Sequence, residues 1–250
     1  MNTAETKREI EGMLEVKGLT KKFGGVHAVQ DLSFQLAPNE ILGLIGPNGA
    51  GKSTVFNLLT GLYRPDSGEV LVNGENIVGL PIYQYARLGF GRTFQTTRLF
   101  FTHTAADNIR VGCEVLRQNV DEGQIQQCLS LVNLESKARY SVERLTSAEQ
   151  RRLMIALAMC SSPRILLLDE PTAGMIAEEV AETLKMIQRI RESGTAILFI
   201  EHNMPAVMNT CDRIVVINSG KQIAEGKPAD IRRNPDVIEA YLGKGDFHHA

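Results

Sequence analysis

The chain has 250 residues, of which 43% are hydrophobic and 22% charged, with a formal net charge of −2. That is the profile of a soluble globular protein able to bury a core as one domain or two joined lobes. The charge argues against a broad basic face for nucleic acid and leaves only a local patch open, and no apolar run nears the roughly 18 residues of a membrane span. Residues 1–13 form a polar stretch without the apolar core of a signal peptide and are expected to be a flexible tail. MLEVKGLTKKF and HAVQDLSFQLA then alternate apolar and polar residues, which predicts two strands. EILGLIG (40–46) is a short apolar run ending in glycine, and STVFNLLTGL has helical spacing. GEVLVNGENI reads as strand, turn and strand.

From about residue 96 to 159 the pattern is mostly helical and predicts an inserted lobe. RILLLDE (164–170) is a second buried strand. EEVAETLKMIQRIRESG places Val180, Leu184, Ile187 and Ile190 on one helical face, with Gly194 as the stop. TAILFIEH and DRIVVINSGK predict two more strands. Strands alternating with helices imply an α/β fold with a parallel sheet covered on both faces. Cys113, Cys128, Cys160 and Cys211 lack CxxC spacing and read as reduced cytosolic thiols filling a core, not as a metal site. His248 and His249, in the tail, read as solvated.

GPNGAGKST supplies Gly46, Pro47, Asn48, Gly49, Ala50, Gly51, Lys52, Ser53 and Thr54, a match to GxxxxGK[ST] between a strand and a helix. Its glycines let backbone N–H groups turn inward around phosphate oxygens. Lys52, expected to face solvent, brings a point charge to the terminal phosphates, and the Ser53 hydroxyl suits Mg²⁺. ILLLDE ends in two carboxylates at the carboxyl end of a buried strand, where open α/β sheets bind ligands. Asp169 is expected to hold Mg²⁺ through water and Glu170 to polarise the attacking water. GFGRTF (89–94) lacks the third glycine of a dinucleotide fingerprint, and no NKxD motif is present for guanine.

SVERLTSAEQRRLMIALAM contains a capping box, with Thr146 as cap and Glu149 three residues on. A helix N-terminus is also an anion site, so the same stretch is open to a phosphate reading.

Together these motifs resemble an ATP-binding cassette (ABC) ATPase from about residue 14 onward. The resemblance implies a RecA-like P-loop NTPase core with an N-terminal antiparallel β subdomain and an inserted helical subdomain. The nucleotide-binding core would be 14–95 and 160–250, with the helical subdomain at 96–159. It also implies ATP and Mg²⁺ as ligands, and transport-coupled ATP hydrolysis. Phe23 matches the aromatic that stacks on adenine. Gln95 in RTFQ matches the glutamine that touches the metal and senses the permease, and His202 in FIEH the switch histidine at the γ-phosphate. RTFQTTRLF, DEPTAGM, IEHNMPAVMNTCDRIVVINSGK and RRNPDVIEAYLG resemble ATP-binding subunits of bacterial branched-chain amino acid importers, with urea and amide importers close by. That implies two permease chains, a second ATPase subunit, equal or different, an extracytoplasmic binding protein, and a peripheral place on the cytoplasmic face of the inner membrane. No nucleic-acid partner is implied.

Two places depart from the family pattern. Where it has Ser-Gly-Gly-Gln, which binds the partner subunit's ATP, this chain has Thr146, Ser147, Ala148 and Glu149. Ile176 stands where Asp or Asn is usual. If Ala148 replaces a glycine at positive φ, the expected cost is about 1 kcal/mol. A Glu149 carboxylate about 7 Å from a γ-phosphate would repel it by roughly 2 kcal/mol, less if it folds back onto its cap. These changes imply an asymmetric ATPase pair. Two readings stand beside a transport ATPase: a subunit that binds ATP but barely hydrolyses it, and a non-transport cassette ATPase.

Overall fold

The computed structural model describes residues 13–93, 99–116 and 120–242. Two sheets organise them. Strands β1 (Leu14–Phe23), β2 (Val26–Leu36), β4 (Ser67–Val72) and β5 (Glu75–Asn76) form an antiparallel sheet in the order β2-β1-β4-β5. The second sheet contains β3 (Ile41–Ile45), β6 (Phe90–Arg92), β7 (Ile165–Asp169), β8 (Ala196–Ile200), β9 (Arg213–Asn218) and β10 (Lys221–Gly226). Its order is β10-β9-β3-β8-β7-β6, parallel except for the antiparallel edge strand β10.

Period-two alternation splits each central strand between two cores. Leu42 and Leu44 of β3, Leu167 of β7 and Leu198 of β8 face a core shared with β1, β2, β4 and helix α1 (Lys52–Leu59). Ile41, Ile45, Leu166, Leu168 and Phe199 face the other side, against the helices. The helical stretch supplies α3 (Ala105–Leu116), α4 (Glu122–Leu131) and α5 (Ser147–Met159), whose apolar residues join this second core. Caps mark two of these helices: Asp121 accepts from the Gln124 N–H at 2.8 Å, and Thr146 accepts from the Glu149 N–H at 3.2 Å.

The helix α6 (Ala177–Glu192) ends before Gly194, whose φ of 106° provides the expected left-handed stop. Its buried stripe is Thr183, Met186, Ile187 and Ile190, so Val180 and Leu184 sit at the edge, half-buried. Periodicity finds such a face, but packing against neighbours sets its rotation. Met13 belongs to the packed protein, being buried against the antiparallel sheet, so the tail expectation fails at that residue. The short elements α2 (Ile82–Arg87), β6 and β10, and the terminal helices α7 (Met204–Thr210), α8 (Pro228–Ile231) and α9 (Pro235–Leu242), carry too few residues to show a period. Among the described residues no helix is long and apolar enough to cross a membrane.

Candidate functional site

The phosphate loop spans the gap between β3 and α1, at the carboxyl edge of the parallel sheet. Gly51, just before α1, has φ 108°, and a Cβ there would lie 2.3 Å from the Ala28 carbonyl oxygen. A Cβ on Gly46 would lie 2.1 Å from the Ile217 carbonyl oxygen. Both positions therefore admit only glycine. The turn between β9 and β10 supports the loop from outside: the Gly220 N–H donates to Ala50 at 2.9 Å, and Gly220 accepts from Gln30 at 2.7 Å.

Lys52 does not face solvent. It is 8% exposed and donates to the carbonyl oxygens of Gly46 (2.7 Å) and Pro47 (3.1 Å). Both acceptors are carbonyls of its own loop, within six residues along the chain. Burial lowers its pKa, while the Glu170 and Asp169 carboxylates work in the opposite direction. The loop, His27, Gln30, Ser219 and Glu170 line a cleft of about 640 Å³, within the range of small-ligand sites.

Asp169 ends β7 and Glu170 follows it directly, at the carboxyl end where the sequence places them, but their environments differ. Asp169 is buried, and its pKa is pushed up to about 6 by that burial and by the Glu170 charge, with Lys52 pulling the other way. Glu170 has φ 47°, a left-handed conformation uncommon for a non-glycine residue. Its backbone is fixed there by three bonds. Its N–H donates to Ile200 (2.9 Å), and its carbonyl accepts from Ala173 (3.2 Å) and the Arg151 guanidinium (3.3 Å). Strain held this way concentrates at functional sites. The carboxylate is part-exposed in the cleft, with Oε1 3.4 Å from Nδ1 of the exposed His202. Two acids beside a single lysine leave negative charge in excess, and the donor set, hard oxygens of Asp169 and Ser53, fits Mg²⁺.

A residue the sequence reading missed connects these turns. Glu201 is fully buried, and its carboxylate accepts from the Thr172 N–H (2.9 Å) and hydroxyl (2.5 Å) and from the His202 (3.1 Å) and Asn203 (3.4 Å) N–H groups. It ties the turn after Glu170 to the turn that carries His202. The only signal in the sequence was a carboxylate placed directly after five apolar strand residues.

At the opening stretch of α5 the capping box forms in full. Glu149 Oε2 accepts from the Thr146 N–H at 3.0 Å, and Oε1 pairs with the Lys137 ammonium. Burial works against the Glu149 charge most strongly, yet Lys137 and the Thr146 N–H outweigh it and hold the carboxyl below its usual range. Ala148 is buried inside the helix and absent from the positive-φ residues. The strain expected from a replaced glycine is therefore not present.

Other expected residues are dispersed. Phe23 is not a core residue: it is 45% exposed and edge-on to Tyr63 at 5.4 Å, one strand-turn from the cleft-lining Val26. Ser53 is exposed on the first turn of α1. Gln95 lies outside the described residues, as do His248 and His249. Ile176, 63% exposed, stands before α6 and has no acceptor to cap it; the Glu179 carboxylate instead accepts from its N–H at 3.2 Å. The cysteines are not scattered in space. Cys113, Cys128 and Cys160 meet in the helical stretch.

Residues 29–173 match the ABC transporter family, and residues 221–246 match the branched-chain amino acid ATP-binding cassette transporter family. The high-affinity branched-chain amino acid transport ATP-binding protein BraF of Pseudomonas aeruginosa is 43% identical, with 93% of this chain and 98% of that protein covered. The corresponding LivG of Escherichia coli is 42% identical, with the same coverage. The crystal structure of an ATP-binding cassette of an ABC transporter in its ADP conformation superposes with a TM-score of 0.85 at 25% identity, covering 93% of this chain and 99% of that one.

Proposed function

The chain belongs to the ABC transporter family of ATP-binding proteins, and from that premise we propose that it powers uptake of branched-chain amino acids. The observation that carries the reading is one cleft lined both by a complete phosphate loop and by Glu170, with His202 beside it. In this reading the loop N–H groups and Lys52 hold the phosphates of ATP. Lys52 gives up its two carbonyl partners for phosphate oxygens. Phe23 offers its exposed face to the adenine.

Ser53, Gln95 and Asp169 would hold Mg²⁺, which supplies neutralising charge at the phosphates. Glu170 takes the proton of the attacking water, and its fixed backbone keeps the carboxylate on the cleft side. His202 orients Glu170 and reaches the γ-phosphate. Glu201 acts behind both, as a positioning residue. Thr146 to Glu149 would face ATP held by a second ATPase subunit, with the exposed Ile176 beside that contact. Two permease chains, an extracytoplasmic binding protein and a peripheral place on the cytoplasmic face of the bacterial inner membrane complete the system. The nucleotide-binding core would be 14–95 and 160–250, and the helical subdomain 96–159. The matched segment 221–246 supports the amino acid solute over urea or amides.

The test is to co-purify the chain with its permeases, reconstitute them in vesicles, and measure ATP-dependent uptake of leucine, isoleucine and valine against urea. Uptake of urea alone would replace the solute. ATP hydrolysis with no dependence on permeases would overturn the transport reading.

A further inference from the structure

The helical stretch gathers three thiols that the ATPase reading does not use. Cys113 comes from α3, Cys128 from α4, and Cys160 from the C-terminal cap of α5, and their sulfur atoms all lie within 4.8 Å of one another. Among the described residues, no histidine or carboxylate joins the group. Cys113 and Cys160 are buried in the core that holds Ile109, Ile125 and Leu129, while Cys128 is half-buried and gives access. The Cys160 thiol donates to the carbonyl oxygens of Ala156 (3.6 Å) and Ile109 (3.8 Å), which are acceptors rather than cations.

We propose that Cys113, Cys128 and Cys160 form a three-thiol site for a trivalent thiophilic metalloid ion, with arsenic(III) as its simplest occupant. The geometry is close to what three bonds to one centre need. Three thiolate bonds of about 2.3 Å to one pyramidal centre hold the sulfurs roughly 3.5 Å apart, so from separations within 4.8 Å each sulfur moves by less than about an ångström. Charge decides the class of ligand. Three thiolates around a monovalent or divalent ion leave a net charge of minus two or minus one in an apolar core, which is costly without a paired cation. Three thiolates around a trivalent centre are neutral.

The exchange also balances. Arsenous acid and three thiols give As(SR)₃ and three waters. Three As–O bonds break and three As–S bonds form, each thiol proton leaves on a departing hydroxide, and arsenic stays trivalent throughout. No net proton is released, whereas a divalent metal must expel protons into solution. Binding would staple α3, α4 and α5 together.

The experiment uses the full reduced chain with arsenite as the probe, followed by native mass spectrometry and by the thiolate-to-arsenic absorption band. One arsenic per chain is expected. Each of Cys113→Ser, Cys128→Ser and Cys160→Ser should weaken binding at least about tenfold through loss of a tethered ligand, and Cys211→Ser should leave it unchanged. Affinity for arsenite should be flat from pH 6 to 8. Should the serine variants not fold, alkylation of the wild-type chain decides: arsenite should protect the three clustered thiols and leave Cys211 unprotected. Binding that survives loss of one clustered thiol, that depends on Cys211, or that protects no clustered thiol would overturn the site. So would zinc binding more tightly than arsenite.

Discussion

The two sites proposed to meet phosphate are both helix N-termini, and they are finished in opposite ways. Helix α1 begins after Gly51 with no side-chain cap and no acidic residue in its first turn. Its orphan N–H groups remain available to an anion. Helix α5 begins with Thr146 and Glu149, which satisfy each other's backbone N–H groups, and Lys137 neutralises the carboxylate. One N-terminus is open by construction, and the other is closed by its own side chains. A helix dipole is therefore not a phosphate site by itself; what the first turn does with its donors decides.

The largest expected effect tests the open end. Glu170→Gln should lower ATP turnover in the assembled transporter by roughly 10²–10⁴, the usual loss of a general base, while labelled ATP still binds. Parent-rate phosphate release would remove Glu170 from the chemistry.

Lys52→Ala should weaken Mg-ATP binding about 10- to 100-fold, since hydrogen bonds to charged groups contribute about 1.5–3 kcal/mol. Because Lys52 also donates to Gly46 and Pro47, the nucleotide-free chain should melt earlier as well. Calorimetry and a thermal melt check the two halves, and unchanged affinity would end the phosphate-loop assignment.

At the closed end, Lys137→Met should expose the Glu149 charge to ATP on the second subunit. A carboxylate about 7 Å from that phosphate repels it by roughly 2 kcal/mol, or up to about 30-fold in affinity or rate. Adding Glu149→Gln should restore the rate. By the same reasoning, Ala148→Gly with Glu149→Gln in the native background should change turnover by less than about threefold, because the charge is already paired. A large gain there would show the asymmetry to be stronger than the Lys137 pairing allows.

The smallest effect concerns pH. Folded Asp169 keeps its proton up to about 6, whereas the unfolded carboxyl releases it near 3.8. Between those values the folded chain binds more protons, so its stability falls as pH rises. Asp169→Asn should therefore melt a few degrees higher than the parent at pH 7 without nucleotide, with the gap closing as pH falls to about 4. Parallel melting curves across that range would mean that burial does not raise this carboxyl.

Much of this was legible in residue order. The phosphate loop, the strand ending in Asp169 and Glu170, and the capping box at Thr146 are local patterns. Each depends on neighbours within about ten residues, where backbone geometry and sequence are directly linked. Lys52 was misjudged because its carbonyl partners become available only when the loop closes on itself. Glu201 went unseen because its four donors come from two turns, one of them 29 residues away.

The sequence by itself determined the alternation of strands and helices, the glycines without which the loop cannot close, and which groups are proposed to meet phosphate. Tertiary structure alone decided that Lys137 reaches Glu149 from a separate turn, and so cancels a charge the sequence leaves bare. It also decided that three cysteines spaced 15 and 32 residues apart share one pocket. The reason is common to both. Coulomb forces and sulfur contacts act over a few ångströms of space, and only the packing of helices against the sheet turns separation along the chain into that proximity.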